Sequence, residues 1–136
     1  MATKAATKTT AKQAQAAQEA MRAPIEWRGN TYRLEFNLNV MEAIQQEYGS
    51  LDAWSDAATG KKSADGTPDI KAVIFGFGAM INEAVDMDNE DNGTQVQPLT
   101  PKQVGRLVSS IGFTDLIERM QSTIVKSTNV GDSKNA

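Results

Sequence analysis

The 136-residue chain contains neither cysteine nor histidine, and the two absences exclude different chemistries. Without cysteine there is no disulfide framework, no thiol nucleophile and no thiolate metal site, and a reducing cytosol suits such a chain. Without histidine the commonest general acid and base near neutral pH is missing, which removes most hydrolytic triads and most zinc sites. Carboxylate or lysine catalysis stays chemically open, yet no nucleophile elbow, phosphate loop or recognisably spaced acid pair is present. The expectation is a protein that is not an enzyme and takes no cofactor or metal.

An excess of basic charge is lacking too. Seventeen acidic residues against fourteen basic ones leave a net charge of −3, a poor basis for gripping phosphate backbones, so nucleic acid is not an expected partner. The longest apolar run, residues 72–81, is about half the ~20 residues needed to cross a bilayer, and the first 22 residues lack the apolar segment of a signal peptide. A soluble, unexported protein with no membrane partner is expected.

What is present suffices for one core, because 40% of the residues are hydrophobic and the length suits a single domain. Residues 1–23 read as a flexible, low-complexity tail of Ala, Thr, Lys and Gln. Four basic residues (Lys4, Lys8, Lys12, Arg22) stand there against Glu19, with too little apolar surface to offset the entropy of ordering. Residues 24–128 form the expected domain, and 129–136 a polar tail.

The domain begins with alternation. From Ile25 to Phe36 polar and apolar residues take turns, and Gly29-Asn30 offers a two-residue hairpin turn. That turn sets Trp27 opposite Tyr32, Ile25 opposite Leu34 and Glu26 opposite Arg33. Asn39 with Glu42 resembles a capping box for a first helix carrying Val40, Met41, Ile44 and Tyr48 and ended by Gly49. Ser50 caps a second helix with Leu51 and Trp54, and residues 60–68 read as an exposed loop.

Asp69 opens the most apolar helix, residues 70–85. Ile70, Val73, Ile74, Phe77, Ile81, Ala84 and Val85 share one face, while Ala72, Phe75 and Ala79 lie roughly opposite. Gly76 and Gly78 each cost about 1 kcal/mol relative to alanine within a helix, which suggests close backbone packing or a fraying point. A helix apolar on two faces needs two covers. Aromatic stripes at helical spacing usually pack in cores, so cover of Phe75 by Trp27 and Tyr32 is the favoured reading. The functional alternative makes Phe75, flanked by Ala72 and Ala79, an anchor for a partner helix.

Residues 86–93 read as an acidic turn. Asp88, Glu90, Asn92 and Gly93 match the opening of a calcium loop, but Leu99 stands where the closing glutamate belongs, so the match fails. Thr100-Pro101-Lys102-Gln103 is a strong helix start, followed by a stripe of Val104, Leu107, Val108 and Ile111 and a stop at Gly112. Thr114 starts a final helix with Leu116, Ile117, Met120 and Ile124 inward, and Asp115 and Lys126 suit its dipole. These last two helices have the outline of a helix-turn-helix, but Asp115 and Glu118 put carboxylates where base and phosphate contacts are usually cationic or amide. Arg106 and Arg119 read as exposed solubilising groups. The expected fold is mainly α, with a small N-terminal β-hairpin and a compact bundle of about five short helices.

Four segments in sequence form a familiar order. Ile25-Glu26-Trp27 through Leu34-Glu35-Phe36 gives an extended start. Val40-Met41-Glu42-Ala43-Ile44 with Tyr48-Gly49 gives a short helix, Ile70-Lys71-Ala72-Val73-Ile74-Phe75-Gly76 an apolar one, and Leu99-Thr100-Pro101-Lys102-Gln103-Val104 a capped one. Over residues 24–127 this order resembles the tail assembly chaperones of long-tailed bacteriophages and related gene transfer agents, with residues 86–97 as an insert departing from the family pattern. The resemblance implies a protein of the host cell cytoplasm that coats the tape measure protein, shields its long apolar helices and helps recruit tail tube protein, then leaves before the virion is complete. Self-association is open to it. The rival readings are a structural virion protein of the tail or head-completion type, which would stay in the particle, and a helix-turn-helix DNA-binding regulator.

Overall fold

In the computed structural model, the described residues are 22–112 together with 114, 115, 117 and 118. The fold is mainly helical with an N-terminal antiparallel hairpin. Strands β1 (Ile25–Trp27) and β2 (Asn30–Tyr32) precede helices α1 (Leu38–Tyr48), α2 (Leu51–Thr59), α3 (Ile70–Asn92) and α4 (Pro101–Ile111). Thr114, Asp115, Ile117 and Glu118 are helical; the rest of the expected final helix, including Leu116, Met120 and Ile124, and both tails up to residue 21 and from residue 119 lie outside the described residues.

The hairpin turns one position earlier than its sequence suggests. Arg28 and Gly29 are the two central residues, at φ 51° and 80°, the pattern of a type I′ turn, which favours glycine second rather than first. Ile25 therefore pairs with Tyr32, Glu26 with Thr31 and Trp27 with Asn30. The register moves by two residues, so the apolar face is kept, but the expected Ile25–Leu34 and Glu26–Arg33 pairs do not form. Leu34 instead runs past the strand into the core, fully buried. Arg28 lies 4.7 Å above the Trp27 ring, closing the turn with a cation–π contact.

Arg33, released from Glu26, joins a charged network. The buried Glu35 carboxylate is held by Arg22 (Nε to Oε1, 2.9 Å) and by Arg33, whose other nitrogen donates to Asp88 at 2.8 Å. The Asp88 hydrogen bond, outweighing burial, raises the Arg33 guanidinium above its ordinary value. Pairing on both sides is what makes a buried carboxylate tolerable there. The Glu35 backbone N–H also donates to the Met80 carbonyl, which seats the hairpin exit against α3.

Helices α1 to α4 each start with a side-chain cap. Ser50, Asp69 and Thr100 accept backbone N–H groups as expected, and Thr100 and Gln103 complete a capping box behind Pro101. The first helix differs. Asn37, not Asn39, is its cap, accepting from the Val40 N–H at 3.2 Å, and the helix starts two residues early. Asn39 is thereby freed to donate to Glu83 of α3 at 3.3 Å.

The larger correction concerns α3. Residues 86–92 are its last two turns rather than an acidic loop, and the helix ends only at Gly93, in the left-handed conformation. At 23 residues it is about 34 Å long, so the bundle is not built of short helices alone. Two contacts explain the extension: Asp88 is anchored by Arg33, and Asn89 folds the following chain back onto the helix. The Asn89 amide donates to the Val96 carbonyl and accepts the Val96 N–H, both at 3.0 Å. Two helical turns earlier, Asn82 clasps Leu99 in the same two-bonded way, at 3.0 and 2.8 Å. Helical geometry also sends Glu90 to the side opposite Asp88 and Asn92, so these oxygens cannot converge as in a calcium loop.

The core gathers around α3. Its buried face comprises Ala72, Val73, Gly76, Phe77, Met80, Ile81, Ala84 and Val85, turned toward Ala72 and Gly76 relative to the face read from the wheel. Trp54 causes the turn. Its indole is fully buried and lies directly on Gly76, where a Cβ would collide with the ring, and its Nε1–H donates to the Ala72 carbonyl at 2.9 Å. Ile70 is correspondingly 56% exposed. Among the described residues no helix is long and apolar enough to cross a membrane.

Candidate functional site

The second apolar face of α3 is the floor of a groove. Lys71, Ile74, Phe75, Gly78, Ala79 and Asn82 recur at intervals of three and four, the spacing of a single helix face. This floor runs for about 16 Å along the axis. One wall is α1, contributing Ala43, Glu47 and Tyr48; the other is Leu99, Pro101 and Val104 at the start of α4, for a volume of about 370 Å³.

Local chemistry builds each wall. On one side the Asn82–Leu99 clasp lays the connection along α3 and sets where Pro101 opens α4. On the other, Gly49 ends α1 at φ 87° just after Tyr48, whose ring meets Phe75 edge-on at 5.6 Å between centroids, a favoured geometry for aromatic pairs. Burial, followed by the nearby Asp69 and Glu47 charges, pushes the Tyr48 phenol above its ordinary value. It stays neutral across the physiological range. At the floor, Gly78 and Ala79 leave only backbone and a methyl group, with Val104 3.5 Å from where a Gly78 Cβ would stand.

The three residues expected to contact a partner are thus not equivalent. Phe75 and Ala79 are half-buried floor residues of one groove. Ala72 is fully buried beneath Trp54, so no partner can reach it. The cover read for Phe75 also differs: Tyr48 packs on it, while Trp27 pairs with Tyr32 at 6.3 Å on the hairpin. Tyr48, Gly78 and Pro101 are groove residues that sequence reasoning did not single out. Tyr48 had one signal, its place at the end of an apolar stripe; Gly78 had its unexplained cost inside a helix.

The groove offers shape and apolar surface rather than reactive groups. Glu47 and Lys71 are its ionisable lining side chains besides Tyr48 among the described residues, and both are exposed. Among the described residues no three or more carboxylates gather as a metal site. Comparison with family models, curated proteins and solved structures finds no significant match.

Proposed function

We propose that the chain is a phage tail assembly chaperone that binds and solubilises the tape measure protein during tail morphogenesis, acting in the host cytoplasm without catalysis. The observation that carries this reading is the groove: one helix face, floored by Gly78 and Ala79, walled by two other helices and anchored by Phe75 and Tyr48. A cleft of that shape suits an amphipathic helix laid into it, the small floor residues letting the incoming backbone approach closely. A long tape measure helix has the required apolar stripe, and the order of segments from Ile25 to Val104 supports the family reading independently of the groove. Recruitment of tail tube protein would then use surfaces outside the groove.

The test is direct binding. A fluorescently labelled amphipathic segment of a tape measure protein is titrated with the wild-type chain and with Ala79→Glu, which puts a charge on the groove floor without entering the core. Saturable binding by the wild type and a loss of at least about tenfold in the variant are expected, since an unpaired carboxylate at an apolar contact costs on the order of 1–3 kcal/mol or more. Equal binding by both folded proteins would remove the groove from the account.

A further inference from the structure

Between the start of α3 and the length of α4 lies a second apolar cleft, which shares Ile74 and Pro101 with the Phe75 groove and has a volume of about 690 Å³. Ile70, Val73 and Val108 supply the rest of its aliphatic lining. Val73 and Val108 are buried, while Ile70 is 56% exposed. On the α4 side Pro101, Gly105 and Ser109 recur every four positions, a helix face without a long side chain. The lining from Pro101 to Ser110 extends over about 14 Å of α4, which matches about nine residues of a helix laid beside it.

The charge of this cleft has one sign. Lys102 and Arg106 line it, both exposed, and no acidic residue does. Four positions apart on α4, the two cations stand on one helix face. Among the described residues the ion pairs engage Arg22, Arg33 and Lys62 instead. Lys102 also lies in the first turn of α4, which holds no acidic residue and where the helix dipole disfavours a cation. A carboxylate brought from outside relieves both costs. We propose that the cleft binds an acidic amphipathic helix of another protein, its apolar stripe on Ile70, Ile74 and Gly105 and two carboxylates one turn apart against Lys102 and Arg106. Charge selects this occupant. The apolar lining accepts any amphipathic helix, but a basic flank would meet two like charges with no lining carboxylate to offset them. The site is separable from the Phe75 groove, because neither Lys102 nor Arg106 lines that groove.

Fluorescence anisotropy with the full chain tests this, using two labelled peptides of about 16 residues, long enough for about four helical turns. They carry the same leucine and alanine stripe and differ at one pair of flanking positions, four apart, which are both Glu or both Lys. At low salt the Glu peptide should bind saturably and at least about tenfold more tightly than the Lys peptide, since the exchange turns two attractive pairs into two repulsive ones. Added salt should narrow the difference. Lys102→Glu/Arg106→Glu, with unchanged circular dichroism, should reverse the preference. Ile70→Ser should weaken binding of the Glu peptide, and Ala79→Glu should leave it unchanged. Equal binding of the two peptides, or a preference that survives the charge reversal, overturns the proposal. Loss of binding in Ala79→Glu overturns it too, by assigning the peptide to the Phe75 groove. So does failure of both peptides to bind, which would leave the cleft to a second copy or to another segment of this chain.

Discussion

Trp54 and Gly76 show how far one contact can set a fold. The indole needs a hydrogen-bond acceptor when buried and finds the Ala72 carbonyl at 2.9 Å, but only because Gly76 leaves room for the ring. Gly76→Ala should therefore destabilise by about 1–3 kcal/mol, the usual cost of overpacking, despite alanine's better helix propensity. Gly78 is the control, since a Cβ there meets Val104 at an ordinary 3.5 Å. Gly78→Ala should be neutral or stabilise by up to about 1 kcal/mol. Urea unfolding of both variants checks the pair; equal destabilisation would mean that neither glycine is placed as described.

Asp65 provides a pH signature at the same scale. Hydrogen bonds from Ser63 and then Thr67 lower its carboxyl to about 2. A folded value below the unfolded one means that the ordering this residue gives the 63–67 loop is present above the unfolded value of about 4 and lost as pH falls through about 2. Carbon-detected NMR titration should find the low midpoint, and Ser63→Ala should move it upward. An unchanged midpoint in that variant would exclude the Ser63 hydroxyl as its cause.

Helix starts are local, and they were legible for that reason. Ser50, Asp69 and Thr100 each satisfy backbone donors within three residues, so a window of four letters carries the whole interaction. Asn37 and Asn39 are both good caps, and choosing between them required knowing that Glu83 would take the Asn39 amide. The end of α3 depended on distant partners in the same way: Arg33 lies 55 residues from the Asp88 it holds, and an acidic stretch with asparagines reads as a turn until such partners are placed. The hairpin turn failed for a local reason, the order of glycine within the pair, and its consequence was the loss of the Glu26–Arg33 bridge. Among the groove residues Phe75 and Ala79 were readable from the wheel. Tyr48 and Pro101 were not, because they come from other helices.

The buried stripe of α4 tests the element scale. Leu107 is fully buried and Arg106 beside it is exposed. Leu107→Asp places an unpaired carboxylate in the core and should cost more than about 4 kcal/mol, enough to unfold a marginally stable domain. Arg106→Ala should change stability by less than about 0.5 kcal/mol. Differential scanning fluorimetry of the two variants distinguishes the faces, and similar melting shifts would show the stripe to be misassigned.

At the scale of the whole fold, the hairpin and the other helices are arranged around the long helix α3, whose two apolar faces are treated differently. One face is closed by Trp54, Leu34 and the α4 stripe. Among the described residues the other forms a groove whose walls are fixed by the Asn82–Leu99 clasp and the Tyr48–Phe75 pair. Among the described residues nothing closes that groove, which fits the proposed docking of a partner helix there. The measurement that bears most directly on this is the solubility of a tape measure protein co-expressed with the chain. Wild-type chain should move most of the tape measure protein from the pellet to the supernatant, and Ala79→Glu, itself soluble and folded, should leave it in the pellet. Equal rescue by both, or none by the wild type, would contradict the account.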